Sequence, residues 1–317
     1  MTTSHLIDQG RGVFTIDTGY TRPRHVACHL MIEQGRAAFI DVGIAATVER
    51  LLGALDECGV PRANVDWVLV THAHLDHAGA AGVLMRELPN ARLVAHPRAA
   101  RHIIDPSKLI AGAAAVYGEE RLRAEFGEIL PVPAERVKEA PDGLSLALGG
   151  RPLLFIDTPG HARHHYCIYD ERSRGIFAGD TFGLSYREFD TERGAFAFPT
   201  TSPVQFDPEA LHRSIDRLLS FAPERVFVAH FGCVTDPAGP GADLHRHIDA
   251  LVALAEQAQH AGEERGRRLR DGMAEQILRA LREHGCTLAR ERILSLMDLD
   301  IELNSQGIEF WLDHRPR

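Results

Sequence analysis

The stretch THAHLDHAG, residues 71–79, directly follows the apolar run Trp67–Val70 and is the most informative part of the sequence. It contains four side chains that can bind metal: His72, His74, Asp76 and His77. The apolar run predicts a buried strand, so these side chains lie in the loop that leaves it. On a helix, His72 and His74 would point to different faces, whereas in a loop both can reach one cation. Asp76 and His77 project differently and can serve a second cation.

Three further candidate ligands each follow an apolar run: His161 after 153–157, Asp180 after 175–179 and His230 after 225–229. Residues that leave strands in this way meet at one edge of a sheet, where loops on a rigid scaffold commonly carry catalytic groups. Imidazole and carboxylate ligands without a thiolate suit zinc, iron or manganese. The sequence therefore predicts a site for two divalent transition metals.

The first two-thirds of the chain alternates between strand-like and helix-like patterns. Apolar or alternating runs predict strands at 13–17, 25–33, 37–42, 65–70, 91–95, 152–157, 166–169, 175–178 and 225–229. Helical spacing predicts helices at 46–58, 78–88, around 119–126 and 208–220. Residues 102–143 are less regular, and we expect them to cover or edge an active site. The aromatic-rich residues 182–206 form either a lid or packing beneath a loop.

The pattern changes after the turn-rich residues 236–241 and becomes mostly helical. We therefore predict two domains, a catalytic domain at 1–237 and a helical extension at 238–317. Apolar helix faces of this kind either pack back on the preceding domain or form a contact between copies of the chain. We expect the extension to act as a lid, as a homodimer contact, or as both.

Composition excludes several classes of protein. The chain has 317 residues, 44% of them apolar and 25% charged, as in ordinary soluble globular proteins. A net charge of −9 argues against a general nucleic-acid binder, which needs a basic face, and we interpret the basic run at 263–270 as a solvated helix face. No run approaches the ~18 apolar residues of a membrane span, and residues 1–17 lack the apolar core of a signal peptide. We expect a cytoplasmic protein without nucleic-acid or membrane partners.

The motifs together resemble the metallo-β-lactamase superfamily, in particular its glyoxalase II-like branch of hydrolases. The resemblance rests on THAHLDHAG, on TPGH at 158–161, on Gly179-Asp180, on IDVG at 40–43 and on His230, and spans about residues 10–232. It implies an α/β fold, the four-layer αβ/βα sandwich. It also implies that His72, His74 and His161 hold one metal, that Asp76, His77 and His230 hold the other, and that Asp180 bridges the two. By the same resemblance, Asp41 lies beside the site and orients a ligand.

These features predict a dinuclear metal-dependent hydrolase. A hydroxide bridging the two metals would attack a small ester, thioester, lactone or related acyl substrate. Besides binding metal, Asp76 would orient this hydroxide, and Asp180 would complete the catalytic pair. Two alternatives remain open: an iron-dependent dioxygenase similar to persulfide dioxygenases, with residues resembling its ligands at His72, His161 and Asp180, and a regulatory protein of this fold with little turnover.

The chain departs from glyoxalase II in two places. His164 stands where those enzymes have glycine, and His165 keeps the last position of the motif. These two histidines support the ligands, contact the substrate or play a purely structural role. The extension does not resemble the glutathione-binding helices of glyoxalase II. We interpret the remaining histidines, among them His25, His102, His212 and His245, as surface or core residues.

Overall fold

The computed structural model describes residues 5–201 and 204–315 and builds two mixed sheets from them. The first sheet contains β1 (Leu6–Asp8), β2 (Val13–Asp17), β3 (Ala27–Glu33), β4 (Arg36–Ile40), β5 (Val65–Val70), β6 (Arg92–Ala95) and β7 (Val137–Glu139). The second contains β8 (Ser145–Leu148), β9 (Arg151–Asp157), β10 (Tyr166–Asp170), β11 (Gly175–Leu184), β12 (Arg225–His230) and β13 (Gly232–Thr235).

Both sheets keep their strands in sequence order, and both change from antiparallel to parallel pairing next to the strands that carry the motifs. In the first sheet β1 to β4 pair antiparallel, and β4 to β7 pair parallel. In the second sheet only β11 and β12 pair parallel. The sheets face each other through an apolar cluster in which Ile40 and Leu69 share the core with Phe155, Phe177 and Phe227.

The described residues also form ten α-helices. They are α1 (Val48–Glu57), α2 (Leu75–Ala78), α3 (Ala81–Glu87), α4 (Pro97–Ile104), α5 (Ser107–Tyr117), α6 (Glu119–Phe126), α7 (Pro208–Leu219), α8 (Ala238–Ala258), α9 (Arg265–Glu283) and α10 (Arg290–His314). One apolar cluster packs α1, α3 and α4 on the first sheet, and another packs α7 and α8 on the second. The predicted αβ/βα sandwich with a C-terminal helical extension is confirmed.

Predictions of individual helices and strands differ from the structure mainly where an element is short or where its composition is uniform. The predictions at 13–17, 65–70 and 119–126 match β2, β5 and α6. The stretch predicted to be irregular, 102–143, holds the last residues of α4 and all of α5, whose alanine-rich sequence lacks a clear polar face. The unpredicted strands, β1, β7, β8 and β13, have only three or four residues each.

Within the described residues, rings of the aromatic segment pack beneath the extension. Tyr186, Phe189, Phe196 and Phe198 are fully buried or nearly so. They belong to the same apolar cluster as buried residues of α8, α9 and α10. The extension therefore packs back on the sandwich through these rings. A domain boundary at residue 237 and a homodimer contact stay predictions.

Candidate metal centre

The THAHLDHAG motif lies at the carboxyl end of β5, as the sequence predicts. Thr71 and His72 leave the strand, His74 precedes α2, and Asp76 and His77 lie within this short helix. His72 and His77 are buried. The chain changes from strand to helix across the four residues 71–74, and this change brings the candidate ligands of the motif together.

The second sheet brings the other three candidates to the same place. His161 lies in the loop between β9 and β10, Asp180 lies within β11, and His230 ends β12. The His161 loop runs so close to α7 that a Cβ added at Gly160 would lie 2.4 Å from the backbone of Leu211. Only glycine fits this position, where φ is +136°.

One group of donors joins three imidazoles. His72 Nε2 lies 2.9 Å from His74 Nδ1, which lies 3.0 Å from His161 Nε2. The ligand atoms of the three residues all lie within 4.8 Å of one another. Burial and, after it, the neighbouring imidazoles lower the pKa values of His72 and His74 well below the usual range, and burial lowers the pKa of His161. At neutral pH these rings therefore offer lone pairs, as metal ligands must.

A second group joins Asp76, His77 and His230, again with ligand atoms within 4.8 Å of one another. Asp76 Oδ2 lies 3.4 Å from the Nε2 atoms of both histidines. Burial alone would lower the pKa of His77, but the carboxylates of Asp76, Asp180 and Asp41 outweigh it and raise this pKa well above the usual range. The same concentration of negative charge favours a cation.

Asp180 reaches both groups. Its Oδ2 lies 3.4 Å from His161 Nε2, whereas its Oδ1 lies 3.3 Å from His77 Nε2 and 3.5 Å from His230 Nε2. The structure thus brings all seven sequence-predicted ligands together in two groups that share one carboxylate.

Hydrogen bonds around the centre leave the right atoms free for metal. His77 Nδ1 donates to Asp41 (3.0 Å), and His161 Nδ1 faces Thr200 Oγ1 (3.1 Å), which itself donates to the carbonyl of Asp180. Both rings therefore use a hydrogen on Nδ1 outside the centre and direct Nε2, the atom that a metal would bind, into it. Among the described residues, His77 Nε2 and Asp180 Oδ1 are buried without a hydrogen-bond partner. This donor set fits two divalent cations.

Asp41 and His165 hold the ligands in place, and the sequence left the role of His165 open. Asp41 accepts a hydrogen bond from the Thr71 amide (2.8 Å) as well as the one from His77. His165 Nε2 accepts from the Asp180 amide (3.1 Å), so its Nδ1 carries the hydrogen and faces the hydroxyl of Thr158 (3.0 Å). A Cβ at Gly179 would lie 2.5 Å from His165 Nε2, so this close contact requires glycine.

A cavity of about 360 Å³ opens above the centre. Much of its wall is apolar: Leu75, Leu109, Ala113, Phe126, Val204, Leu299 and Leu303. These residues come largely from α5, α6 and α10, so the extension supplies part of the wall. The less regular stretch at 102–143 does edge the site, as expected.

The cavity also has polar lining residues, of which the sequence singled out His164 but not His25, Asp300 or Asn304. His164 and His25 both line it, and burial lowers their pKa values to about 4 and about 3, so both rings are neutral at pH 7. Asp300 of α10 also lines it, and the hydroxyl of Tyr186 donates to both of its oxygens at 3.0 Å. Asn304, one turn later, accepts from the Thr201 amide (2.7 Å). Nothing in the helical pattern around 300 distinguishes these positions from ordinary polar ones.

The basic run of the extension is paired with acidic groups of the same protein. Arg265 binds Glu309 and Asp313, and Arg270 binds Asp298 and Glu302. This pairing agrees with a solvated helix face. Among the described residues, no helix is both long enough and apolar enough to cross a membrane.

Comparison with known families shows which class of protein the fold and the motifs define. The model of the metallo-beta-lactamase superfamily matches residues 1–230, so the chain belongs to this superfamily. Among its relatives, the metallo-beta-lactamase fold-containing protein ST1585 of Sulfurisphaera tokodaii is 26% identical over 251 residues, covering 78% of this chain and 86% of the relative. A hydroxyacylglutathione hydrolase of a Methylobacterium species is 27% identical over 238 residues, covering 72% and 71%.

Comparison with solved structures shows that the similarity in fold includes the C-terminal helical extension. The crystal structure of ST1585 superposes with a TM-score of 0.62 at 21% identity and covers 95% of this chain and 99% of its own. The metallo-beta-lactamase family protein TTHA1429 of Thermus thermophilus gives a TM-score of 0.63 at 20% identity, covering 96% and 94%. With so little of the chain left uncovered, the shared fold must include most of residues 238–317.

Proposed function

We propose that this protein is a metal-dependent hydrolase that binds two divalent transition metals, with zinc as the first choice and iron or manganese as alternatives. Its substrate is a small ester, thioester, lactone or related acyl compound. The observation that carries the proposal is the convergence of seven histidine and aspartate side chains in two groups that share Asp180. Membership of the superfamily and the hydrolases among the relatives support it.

In this proposal, each group of side chains holds one cation: His72, His74 and His161 the first, and Asp76, His77 and His230 the second. Asp180 binds both. When bound, such cations would supply Lewis-acid chemistry, which lowers the pKa of water for attack on a carbonyl carbon and stabilises charge on the carbonyl oxygen.

Asp76 and Asp180 differ in exposure and therefore in role. The Asp76 side chain is 25% exposed and lines the cavity, so its carboxylate can accept a hydrogen bond from the attacking water and orient it. The Asp180 side chain is 5% exposed and is surrounded by three imidazoles. Asp180 therefore acts mainly by fixing the two cations relative to each other.

The cavity supports a substrate with an apolar acyl or ring-bearing group. Leu109 and Phe126 on one side and Leu299 and Leu303 on the other can enclose such a group above the metals. Lys108 is exposed, lines the same cavity and forms no ion pair within the described residues, so it can attract an anionic substituent of the substrate. His25 and His164 are neutral and add hydrogen-bonding capacity close to the centre.

An iron-dependent dioxygenase is the less economical alternative. A single-iron site would use His72, His161 and Asp180, and it would leave the convergence of Asp76, His77 and His230 without a purpose. A regulatory protein would use the same metal site but would show little turnover. The two alternatives therefore differ from the proposal in metal content and in turnover, respectively.

The test is elemental analysis of protein purified without added metal and without oxygen, followed by assays on a panel of esters, thioesters and lactones. We expect close to two transition metals per chain and measurable hydrolysis. His77→Ala should lose metal and activity, whereas His260→Gln, which removes an exposed histidine, should lose neither. One iron per chain with oxygen uptake on persulfides would favour the dioxygenase, and two metals without turnover would favour the regulatory protein.

A further inference from the structure

Four residues on the outer helices form a second cluster of histidine and aspartate, on the side of the second sheet that α7 and α8 cover. His212 and Asp216 are four residues apart on α7, and His245 and Asp249 are four residues apart on α8. Residues with this spacing lie next to each other on one face of a helix. The two packed helices therefore present the same pair of side chains to each other.

The pairs are crossed. His212 Nε2 lies 3.2 Å from Asp249 Oδ1, and His245 Nε2 lies 3.1 Å from Asp216 Oδ1. Between them, the two Nδ1 atoms face each other at 2.6 Å, and the imidazole rings lie edge to edge with their centroids 4.9 Å apart and an angle of 8° between their planes. Each histidine is thus held by the carboxylate of the opposite helix.

The positions of the hydrogens follow from this arrangement. A carboxylate only accepts hydrogen bonds, so both Nε2 atoms carry a hydrogen. A neutral imidazole protonated on Nε2 has its lone pair on Nδ1, and here two such lone pairs point at each other. Two facing lone pairs repel, so a positive centre, either a metal ion or a shared proton, must lie between them.

We propose that His212 Nδ1 and His245 Nδ1 bind one divalent transition-metal ion at a surface site separate from the cavity. Imidazole suits zinc, copper and nickel, and a carboxylate on the second ring nitrogen is the usual support of a metal-binding histidine. None of the four residues lines the cavity. The two histidine side chains are 27% and 26% exposed, so an ion can enter and water can complete its coordination.

The ion needs only a small adjustment of the site. Metal–nitrogen distances of about 2.0–2.1 Å place the two nitrogens about 3.3 Å apart in tetrahedral geometry. Rotation of these half-buried side chains about their own bonds can supply this increase. The bound ion would join α7, which packs on the sandwich, to α8, the first helix of the extension.

The experiment uses the full chain with its cavity centre already loaded and measures binding of additional zinc by calorimetry. We expect one further ion per chain. The double variant His212→Gln/His245→Gln should not bind it, whereas the matched control His260→Gln should bind it as the native protein does. Asp249→Asn should bind it about 10- to 100-fold more weakly, because the support of His212 is lost.

A second measurement decides the case independently of how well the variants fold. In the native protein, added zinc should shift the Nδ1 resonances of His212 and His245 and leave both Nε2 hydrogens in place. The proposal would be overturned if these resonances did not change, or if the native protein and the double variant bound zinc equally. A shared proton would then lie between the two Nδ1 atoms. Loss of the additional ion in His260→Gln as well would overturn it too, because the ion would then bind elsewhere.

Discussion

The base of the cavity is built from residues of β11, β12, α2 and the loops that follow β5 and β9, whereas its sides come from helices α5, α6 and α10. At the base, each histidine of the centre meets other imidazoles or carboxylates within about 3.5 Å. On the sides most residues are apolar, and Asp300 and Asn304 are each held by a single neighbour. Substitutions in the base should therefore affect the reaction with every substrate, and substitutions in the sides should change which substrates react.

The largest effect is expected at Asp180, the carboxylate that both groups of the base share. Loss of a residue that only hydrogen-bonds to a metal ligand costs up to ~100-fold in activity. Asp180→Ala should lower the rate of hydrolysis by well over this factor and should also reduce the metal content. Asp271→Ala, which removes an exposed aspartate of α9, is the control. Full activity with two metals in Asp180→Ala would show that Asp180 does not join the groups.

A smaller effect is expected at Asp41, which acts through His77. Asn tolerates the left-handed conformation that Asp41 adopts at a φ of 55°, so Asp41→Asn tests the charge rather than the backbone. Because His77 loses a negatively charged acceptor, metal affinity should fall about 10- to 100-fold. Competition with a chelator measures this. An unchanged affinity would mean that His77 is oriented by its packing alone.

On the sides of the cavity, the expected effect is one of selectivity. Leu303→Ala enlarges the apolar wall and should shift the ratio of kcat/KM values about tenfold toward longer acyl groups, with unchanged metal content. Leu288→Ala, at an exposed leucine outside the cavity, should leave the ratio unchanged. A uniform loss on all substrates would contradict the division between base and sides.

The smallest effect on catalysis is expected at Tyr186, whose hydroxyl donates a hydrogen bond to Asp300. Tyr186→Phe removes the hydroxyl that donates to this carboxylate and should lower the free energy of unfolding by about 1–3 kcal/mol. Activity should change less than in the preceding variants. The control is Tyr169→Phe, because within the described chain the Tyr169 hydroxyl forms no hydrogen bond. Denaturant titration of metal-saturated protein measures both variants.

The sequence predicts the base far better than the sides. The candidates at 71–79, His161, Asp180 and His230 each follow an apolar run of sequence, so a local pattern reveals the residue type and its approximate place, although the structure puts Asp180 within β11 and His230 at the end of β12. Asp300 and Asn304 lie inside a long helix of mixed composition, and they reach the cavity only because α10 packs against rings more than 100 residues earlier. No local pattern contains that contact.

His25 and His165 show the same limit within the centre itself. The sequence grouped His25 with surface or core histidines, yet its ring lies 5.8 Å from that of His230 and lines the cavity. His165 supports Asp180 through a backbone amide, and no spacing between side chains records such a bond. Residue type and spacing predict side chains whose own chemistry suits metal binding. They do not predict side chains whose role depends on a contact with a distant part of the chain.

The placement of α10 also sets an order of assembly. All seven residues of the centre lie before residue 231, whereas the wall supplied by α10 begins after residue 289. During synthesis the ribosome therefore releases every candidate metal ligand before the last side of the cavity exists. The candidate centre can thus assemble while the face that α10 later supplies is still open.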